Sequence, residues 1–281
     1  MRHVVRVAAG LAVLGFAALG AVAPAAAAPK AEPWPRWEAH RVDSTGTVDH
    51  SPWDGVLARH NVPAADGSRR FAYDRVGPDD RRRLGDYIDA LANVAVSDLG
   101  RDQQRAYWIN LYNALTVKVV LDRWPVASIR DIAISPGLFS VGPWGRKVIR
   151  VEGEPLSLDD IEHRILRPIW KDARVHYALN CAAIGCPDLL PIAFTAANTE
   201  ELLERAARAF VNHPRGARIE GGRLVVSSIY VWFRSDFGDG TDAAVIAHLA
   251  RHARPEFARA LAGIERVSDH GYDWAINAPL K

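Results

Sequence analysis

Apolar residues recur at helical spacing through much of the chain and give way to short, turn-bounded runs in its middle and near its end. Leu84, Tyr87, Ile88 and Leu91 fall at i, i+3, i+4 and i+7, one stripe of a helix predicted over 79–95. Trp53, Val56 and Leu57 predict a shorter helix over 53–60. A long helix is predicted over 102–123, with Trp108, Leu111, Tyr112, Leu115 and Val119 as its buried face and Pro125 closing it. The period then changes. Residues 146–151 read as a strand, paired with 138–141 across a turn at 142–145. Gly153 to Pro155 turn the chain, Ser157 and Asp160 have the spacing of a capping box, and a helix follows through Arg167. Residues 175–179 read as a short apolar strand that runs into a loop between Cys181 and Cys186. Thr195 or Asn198 can cap a helix over 200–211, and 218–220 and 223–227 flank Gly221-Gly222, a two-residue hairpin turn. Helices are predicted over 241–253 and 255–261 and a last strand over 272–277. Helices outweigh strands, and the strands do not alternate strictly with them. The expected fold is therefore α+β: a single, mainly helical domain with several short, mostly antiparallel strands.

The first residues change that picture at one end. Arg2 and Arg6 precede an apolar run over 7–22 and a small-residue stretch over 23–28, the order of a secretory signal peptide. Ala25 and Ala27 satisfy the small-x-small rule, and a cut one residue later would place Pro29 beside the scissile bond, so cleavage is expected after Ala27. An uncleaved anchor is the rival reading, but the apolar run is shorter than the ~20 residues that span a bilayer. The expected organisation is a signal peptide over 1–27, a lead-in over 28–50 whose Trp34 and Trp37 can pack onto the body, and one globular domain over 51–281. Export implies a periplasmic or extracellular location, with no membrane attachment after cleavage. The formal charge of +2 is that of Arg2 and Arg6, so the mature chain is balanced. No Lys/Arg-rich block appears and the clusters Arg69–Arg70 and Arg81–Arg83 are short, so nucleic acid is not an expected partner. In an oxidising compartment Cys181 and Cys186 are most simply a disulfide, worth roughly 2 kcal/mol for so small a loop.

Two segments stand apart from ordinary core. Asn110 and Asn113 share one face in the middle of the long helix, where asparagine is a poor helix former. They are either a polar seam between the helix and a loop, or part of a site. The second segment runs from Arg174 to Asp188 and carries His176, Cys181 and Cys186, with Glu162 and His163 just upstream.

Together these segments resemble the bacterial domain of unknown function 547 family. The resemblance rests on Tyr107-Trp-Ile-Asn-Leu-Tyr-Asn-Ala-Leu115, on Leu158-Asp-Asp-Ile-Glu-His-Arg-Ile-Leu-Arg167, and on His176-Tyr-Ala-Leu-Asn-Cys181 with Gly185-Cys-Pro187. Ser228-Ile-Tyr-Val-Trp-Phe233 before Asp236-Phe237, and the closing Tyr272-Asp-Trp274, add to it. It covers roughly 53–277 and implies little about function. It also implies that some members carry serine where Cys186 stands, which makes Cys181 the more interesting thiol.

One function hypothesis makes Cys181 the nucleophile of an acyl hydrolase or transferase with papain-like or transglutaminase-like chemistry. Its thiolate needs an imidazole. If 176–181 were extended, His176 would lie roughly 16 Å away on the opposite face, so the chain would have to bend near Asn180. His163 is the alternative base, and Glu162 or Asn110 could orient the ring. The other hypothesis is a non-catalytic binding or scaffold domain. There the cysteines staple a loop, His176 is a hydrogen-bonded core residue, and a small molecule, peptide or glycan is the partner. A metal site of His163, His176, Cys181 and Cys186 is a third reading, but its C-x4-C spacing is looser than a zinc knuckle and no second cysteine pair exists. No nucleophile elbow, phosphate loop, H-E-x-x-H helix or dinucleotide fingerprint occurs, and no cofactor is expected. The exported protein is expected to begin at Ala28. N-terminal sequencing checks this, and an intact Met1 would defeat it.

Overall fold

The computed structural model describes residues 29–137 and 141–279. The expected signal segment lies outside the described residues, as does all but Val141 of the expected strand 138–141. In chain order the elements are α1 (Ser51–His60), β1 (Asn61–Pro63), β2 (Arg69–Phe71), α2 (Pro78–Ala92), α3 (Arg101–Leu121), β3 (Ile149–Val151) and β4 (Glu154–Leu156). A π-helix, Asp160–Leu166, runs into α4 (Arg167–Trp170) and is followed by α5 (Val175–Ala178) and α6 (Thr199–Val211). Then come β5 (Ala217–Glu220), β6 (Arg223–Ser227), α7 (Ile229–Trp232), α8 (Asp242–His252), α9 (Pro255–Leu261) and β7 (Val267–Gly271). The fold is α+β, with two separate hairpins and a three-stranded sheet ordered β5-β6-β7. Every pairing is antiparallel except β6 with β7. Among the described residues no helix is long and apolar enough to cross a membrane.

α3 is the axis of the core. Only Arg101, Asp102, Gln103 and Lys118 escape burial, so the helix is covered on all sides rather than along the one stripe that its periodicity predicts. α2 and α6 pack against it, and Trp37 of the N-terminal lead-in meets Trp108 edge-on at 5.0 Å.

A helix buried all round can carry polar groups only if each finds a partner. Asn110 does so with Phe194: its Nδ2 donates to the Phe194 carbonyl at 2.7 Å, and its Oδ1 accepts the Phe194 N–H at 3.0 Å. Asn113 Nδ2 donates to the Ala178 carbonyl at 2.8 Å, and its Oδ1 accepts the Asn180 N–H at 2.9 Å. The two mid-helix asparagines are therefore the polar seam, clamping the 178–180 and 194 backbone to α3. Asn180 extends the relay: its Oδ1 accepts from Ala182 N–H and from Asn277 Nδ2, whose own Oδ1 accepts from the Tyr73 hydroxyl.

Three expectations need correction. The expected strand 146–151 is shortened to β3, which pairs with β4 across a turn at Glu152-Gly153 with φ of 46° and 81°. Two successive positive φ values suit a tight hairpin, and Gly153 supplies one of them without strain. Residues 175–178 form a helical turn instead of a strand. All four are buried, and an unbroken apolar run reads the same in a buried helix as in a buried strand. The last strand, β7, ends at Gly271, before the expected 272–277. That later segment makes only isolated bridges, Ala275 to Ser128 and Ile276 to Ala183.

Asn113→Ala leaves a buried carbonyl and a buried N–H without partners, and should lower unfolding free energy by about 3 kcal/mol. Urea denaturation monitored by circular dichroism reads this directly. A loss under about 0.5 kcal/mol would show that the clamp is dispensable.

Candidate functional site

The π-helix opens after a capping box. Ser157 Oγ accepts the Asp160 N–H at 3.1 Å, and the Asp160 carboxylate accepts the Ser157 N–H at 2.8 Å. π-helical turns are rare and concentrate at functional sites. This one brings the successive side chains of Glu162 and His163 to one cluster, where they meet His176 from α5, Arg167 at the start of α4 and Asp236 from the turn after α7.

His176 sits between two carboxylates. Its Nε2 donates to Asp236 Oδ2 at 2.7 Å, and its Nδ1 faces Glu162 Oε1 at 3.6 Å. Its ring stacks on Phe233, with centroids 4.5 Å apart and planes at 13°. Arg167 donates to Asp236 through Nε at 2.6 Å and Nη2 at 3.1 Å, and its guanidinium lies over Phe233. Burial works against the charge on His176, but Asp236 and Glu162 more than offset it and its pKa is raised, so the pair of carboxylates favours the charged ring. Burial would also raise Asp236, but His176 and Arg167 hold it well below the usual carboxylate range.

Glu162 has only 13% of its side chain exposed. Burial would raise it, yet His163, His176 and Arg167 bring it down to about 2. Burial also lowers His163 itself to about 4, despite the nearby Glu162 charge, so at neutral pH the cations that keep Glu162 ionised are His176 and Arg167. Arg167 Nη1 donates to His163 Nδ1 at 3.0 Å, which leaves the neutral ring's proton on Nε2, facing Asp159 Oδ1 at 3.6 Å. Burial, with the charges of Glu162 and Asp160, pushes Asp159 up to about 7 against the pull of Lys147.

The cysteines lie elsewhere. Cys181 and Cys186 are in disulfide contact, the Cys181 N–H points at the Cys186 sulfur, and the Tyr272 hydroxyl donates to Cys181 Sγ at 3.0 Å. The loop is zipped to the C-terminal segment: Ile184 N–H donates to the Ala275 carbonyl and Gly185 N–H to the Asp273 carbonyl, both at 2.8 Å. A Cβ at Gly185 would stand 2.8 Å from Asp273 N, so only glycine allows that approach. Within the loop, Ala182 holds a φ of 64°, a conformation kept by the hydrogen bonds on both sides of its peptide.

Half-buried aromatic rings from three separate segments gather beside these groups. Trp274 meets Trp144 at 5.8 Å, Trp232 at 5.5 Å and Tyr272 at 4.6 Å, and Trp232 meets Tyr272 at 4.9 Å. The backbone of this group is joined to that of the acidic segment, since the Trp144 carbonyl accepts the Asp159 N–H at 3.0 Å, and burial, with the Glu162 charge, raises the Tyr272 pKa.

The structure thus brings Glu162, His163 and His176 together and leaves the other expected residues outside their cluster. Cys181 contacts Cys186 and Tyr272, with no imidazole contact among the described residues, and Asn110 is committed to Phe194. The expected Cys181–imidazole pairing is absent because α5 turns His176 toward Asp236, while the tail and Cys186 hold the sulfur. Asp236 and Arg167 were not singled out as site residues. Arg167 follows His163 at i+4, a spacing that places both on one helix face, whereas Asp236 carries no local sign of its pairing with His176, only its place in a motif of the resemblance. Among the described residues no group of three or more His, Cys, Asp or Glu is placed to hold a metal ion.

Asp236→Asn should cost about 3 kcal/mol, because it leaves Arg167 and His176 facing a neutral group. His176 is raised above its ordinary 6.5, so its contribution is complete below that value and fades as pH rises through the higher folded pKa. Asp236 is depressed from its ordinary 3.8, so its contribution is complete above that value and fades as pH falls toward the lower folded pKa. The stability gap between the two proteins should therefore be widest between pH 3.8 and 6.5. Denaturation across pH checks this, and a gap that grows above neutrality would contradict the charged state of His176.

Residues 96–211 match the family model described as protein of unknown function, DUF547. No curated protein and no solved structure matches the chain. The matched span holds α3, the π-helix, α5, the disulfide loop and α6, and stops short of Asp236, Tyr272 and Trp274. The DUF547 match is therefore to this segment of the chain, and the segment supplies Glu162, His163, His176 and Cys181.

Proposed function

We propose that this protein is an exported binding domain whose ligand face is the aromatic group Trp144, Trp232, Tyr272 and Trp274, and whose ligand is a glycan. The observation that carries this reading is the convergence of four half-buried rings on a segment bonded to the Asp159 backbone, within reach of the Glu162 charge. Indole and phenol rings present an apolar face and a polar edge. The C–H face of a sugar ring lies against the first, and its hydroxyls need acceptors nearby. Glu162, held ionised, accepts only, while Asp159, with a pKa near 7, can accept or donate. On this reading the Cys181–Cys186 disulfide is a staple that keeps the loop and the Tyr272–Trp274 segment in register.

One observation favours a second reading, thiol chemistry at Cys181. Its sulfur is only partly buried and touches the Tyr272 hydroxyl, a donor that would stabilise a thiolate after reduction. The two readings part on a single variant. Titration with a panel of soluble oligosaccharides, followed by tryptophan fluorescence, should give saturable binding by the wild type. The double variant Cys181→Ser/Cys186→Ser should retain it with a lowered melting temperature. Trp274→Ala should weaken binding by about tenfold or more, the usual loss on truncating a central aromatic anchor. Hydrolase or transferase activity that appears on reduction and vanishes in Cys181→Ala, without oligosaccharide binding by either form, would reverse the choice.

A further inference from the structure

A second cluster of charge lies outside the site above, in a cleft of about 270 Å³ between β2 and α6. Arg69, Arg205 and Arg215 supply its charge, and Leu190, Pro191 and Phe210 belong to its apolar lining. Asp188 is the one acidic side chain among the lining residues, and it is already occupied: its Oδ1 accepts from the Arg69 N–H at 3.0 Å and from Arg215 Nη2. Arg215 is further fixed by donating to the Ile184 carbonyl at 3.1 Å, and its buried Nε has no partner. The Arg69 guanidinium meets only the neutral Asn61, through Nε to Oδ1 at 3.0 Å and Nη2 to the carbonyl oxygen. Arg205 is exposed and makes no hydrogen bond or ion pair among the described residues.

Three guanidinium groups therefore face one carboxylate, which leaves two positive charges in surplus. Burial and the neighbouring Arg205 both lower the Arg69 pKa, against the pull of Asp188, so the two arginines are close enough to repel. An anion between them would turn that repulsion into two charge-assisted bonds, and guanidinium forks match the geometry of phosphate and carboxylate oxygens. The cleft is near the lower end, about 300 Å³, of the range for small-molecule sites. Its apolar side suits a ligand with a hydrocarbon or aromatic part, and the two surplus charges match a dianion.

We propose that the cleft between β2 and α6 binds a small organic phosphate monoester, with the phosphate between Arg69 and Arg205 and the organic group against Leu190, Pro191 and Phe210. Isothermal titration calorimetry at low salt with phenyl phosphate, inorganic phosphate and phenol tests this. Phenyl phosphate should bind once per chain, tighter than inorganic phosphate because the ring leaves water, and phenol should give no saturable heat. Arg205→Ala should weaken phenyl phosphate about tenfold or more, the loss of one charge-assisted bond. It should not lower the melting temperature, since the side chain is exposed and unpaired and its removal relieves the repulsion of Arg69. Absence of saturable phenyl phosphate binding, or unchanged affinity in Arg205→Ala, would overturn the proposal. Equal affinities for phenyl and inorganic phosphate would overturn the apolar half of it. None of these outcomes depends on the aromatic face described above.

Discussion

A carboxylate can stay ionised away from water only if cations close around it, and the arrangement about Glu162 follows from that requirement. Desolvating two charges costs several kcal/mol each, and their attraction repays it only when geometry and hydrogen bonds are good. Here Arg167 and His176 serve both Glu162 and Asp236, and Phe233 covers His176 on one face. The four charged residues come from the π-helix, α4, α5 and the turn after α7. No one of them can shift without exposing another as an unpaired charge. Well-packed apolar residues could join these elements at no greater cost in stability, so a network of this charge density at a π-helical turn points to a requirement beyond folding.

The neutral amides do a different job. Asn113, Asn180 and Asn277 pass hydrogen bonds from α3 to the disulfide loop and on to the C-terminal segment, each with its acceptor and donor engaged. Because α3 is the buried axis, this relay gives the loop a rigid reference. Tyr272 and Trp274 then inherit their position from Gly185 and Ile184, whose N–H groups bind Asp273 and Ala275. The aromatic face is thus built on irregular backbone, yet it is anchored to a long helix buried on all sides.

What could be read from residue order alone divides along physical lines. The helices of the chain have local signatures: the stripe of Leu84, Tyr87, Ile88 and Leu91, the Ser157–Asp160 capping box, the Thr241 cap whose Oγ1 accepts the Ala244 N–H. The Gly221-Gly222 hairpin has one too. The segment at 175–178 does not, since Val, His, Tyr and Ala are equally at home in a strand, and tertiary burial decides. The same holds for the site. Glu162, His163 and His176 stood out as titratable groups near one another in the chain, but the residue that organises them, Asp236, lies 60 positions beyond His176. Long-range charge pairing leaves no periodicity to detect.

The protonation states bear on what the cluster can do for the sulfur. A general base must offer a free lone pair within reach of the proton it removes. Both nitrogens of His176 face carboxylates, which favour its charged form, so neither is turned toward the sulfur. His163 is neutral, but its one lone pair, on Nδ1, is taken by the Arg167 N–H, and its Nε2 carries a proton toward Asp159. Reduction of the disulfide would free a thiol without changing any of these contacts. Cys181 would then have the Tyr272 hydroxyl as its hydrogen-bonding neighbour, a group whose own pKa burial drives upward and which is a poor proton acceptor at neutral pH. The carboxyl that titrates near neutrality is instead Asp159, whose N–H is bonded to the Trp144 carbonyl, away from the sulfur. Ligand recognition across the aromatic face therefore draws on charge states that the fold already holds in place, whereas thiol catalysis would require the fold to dismantle them.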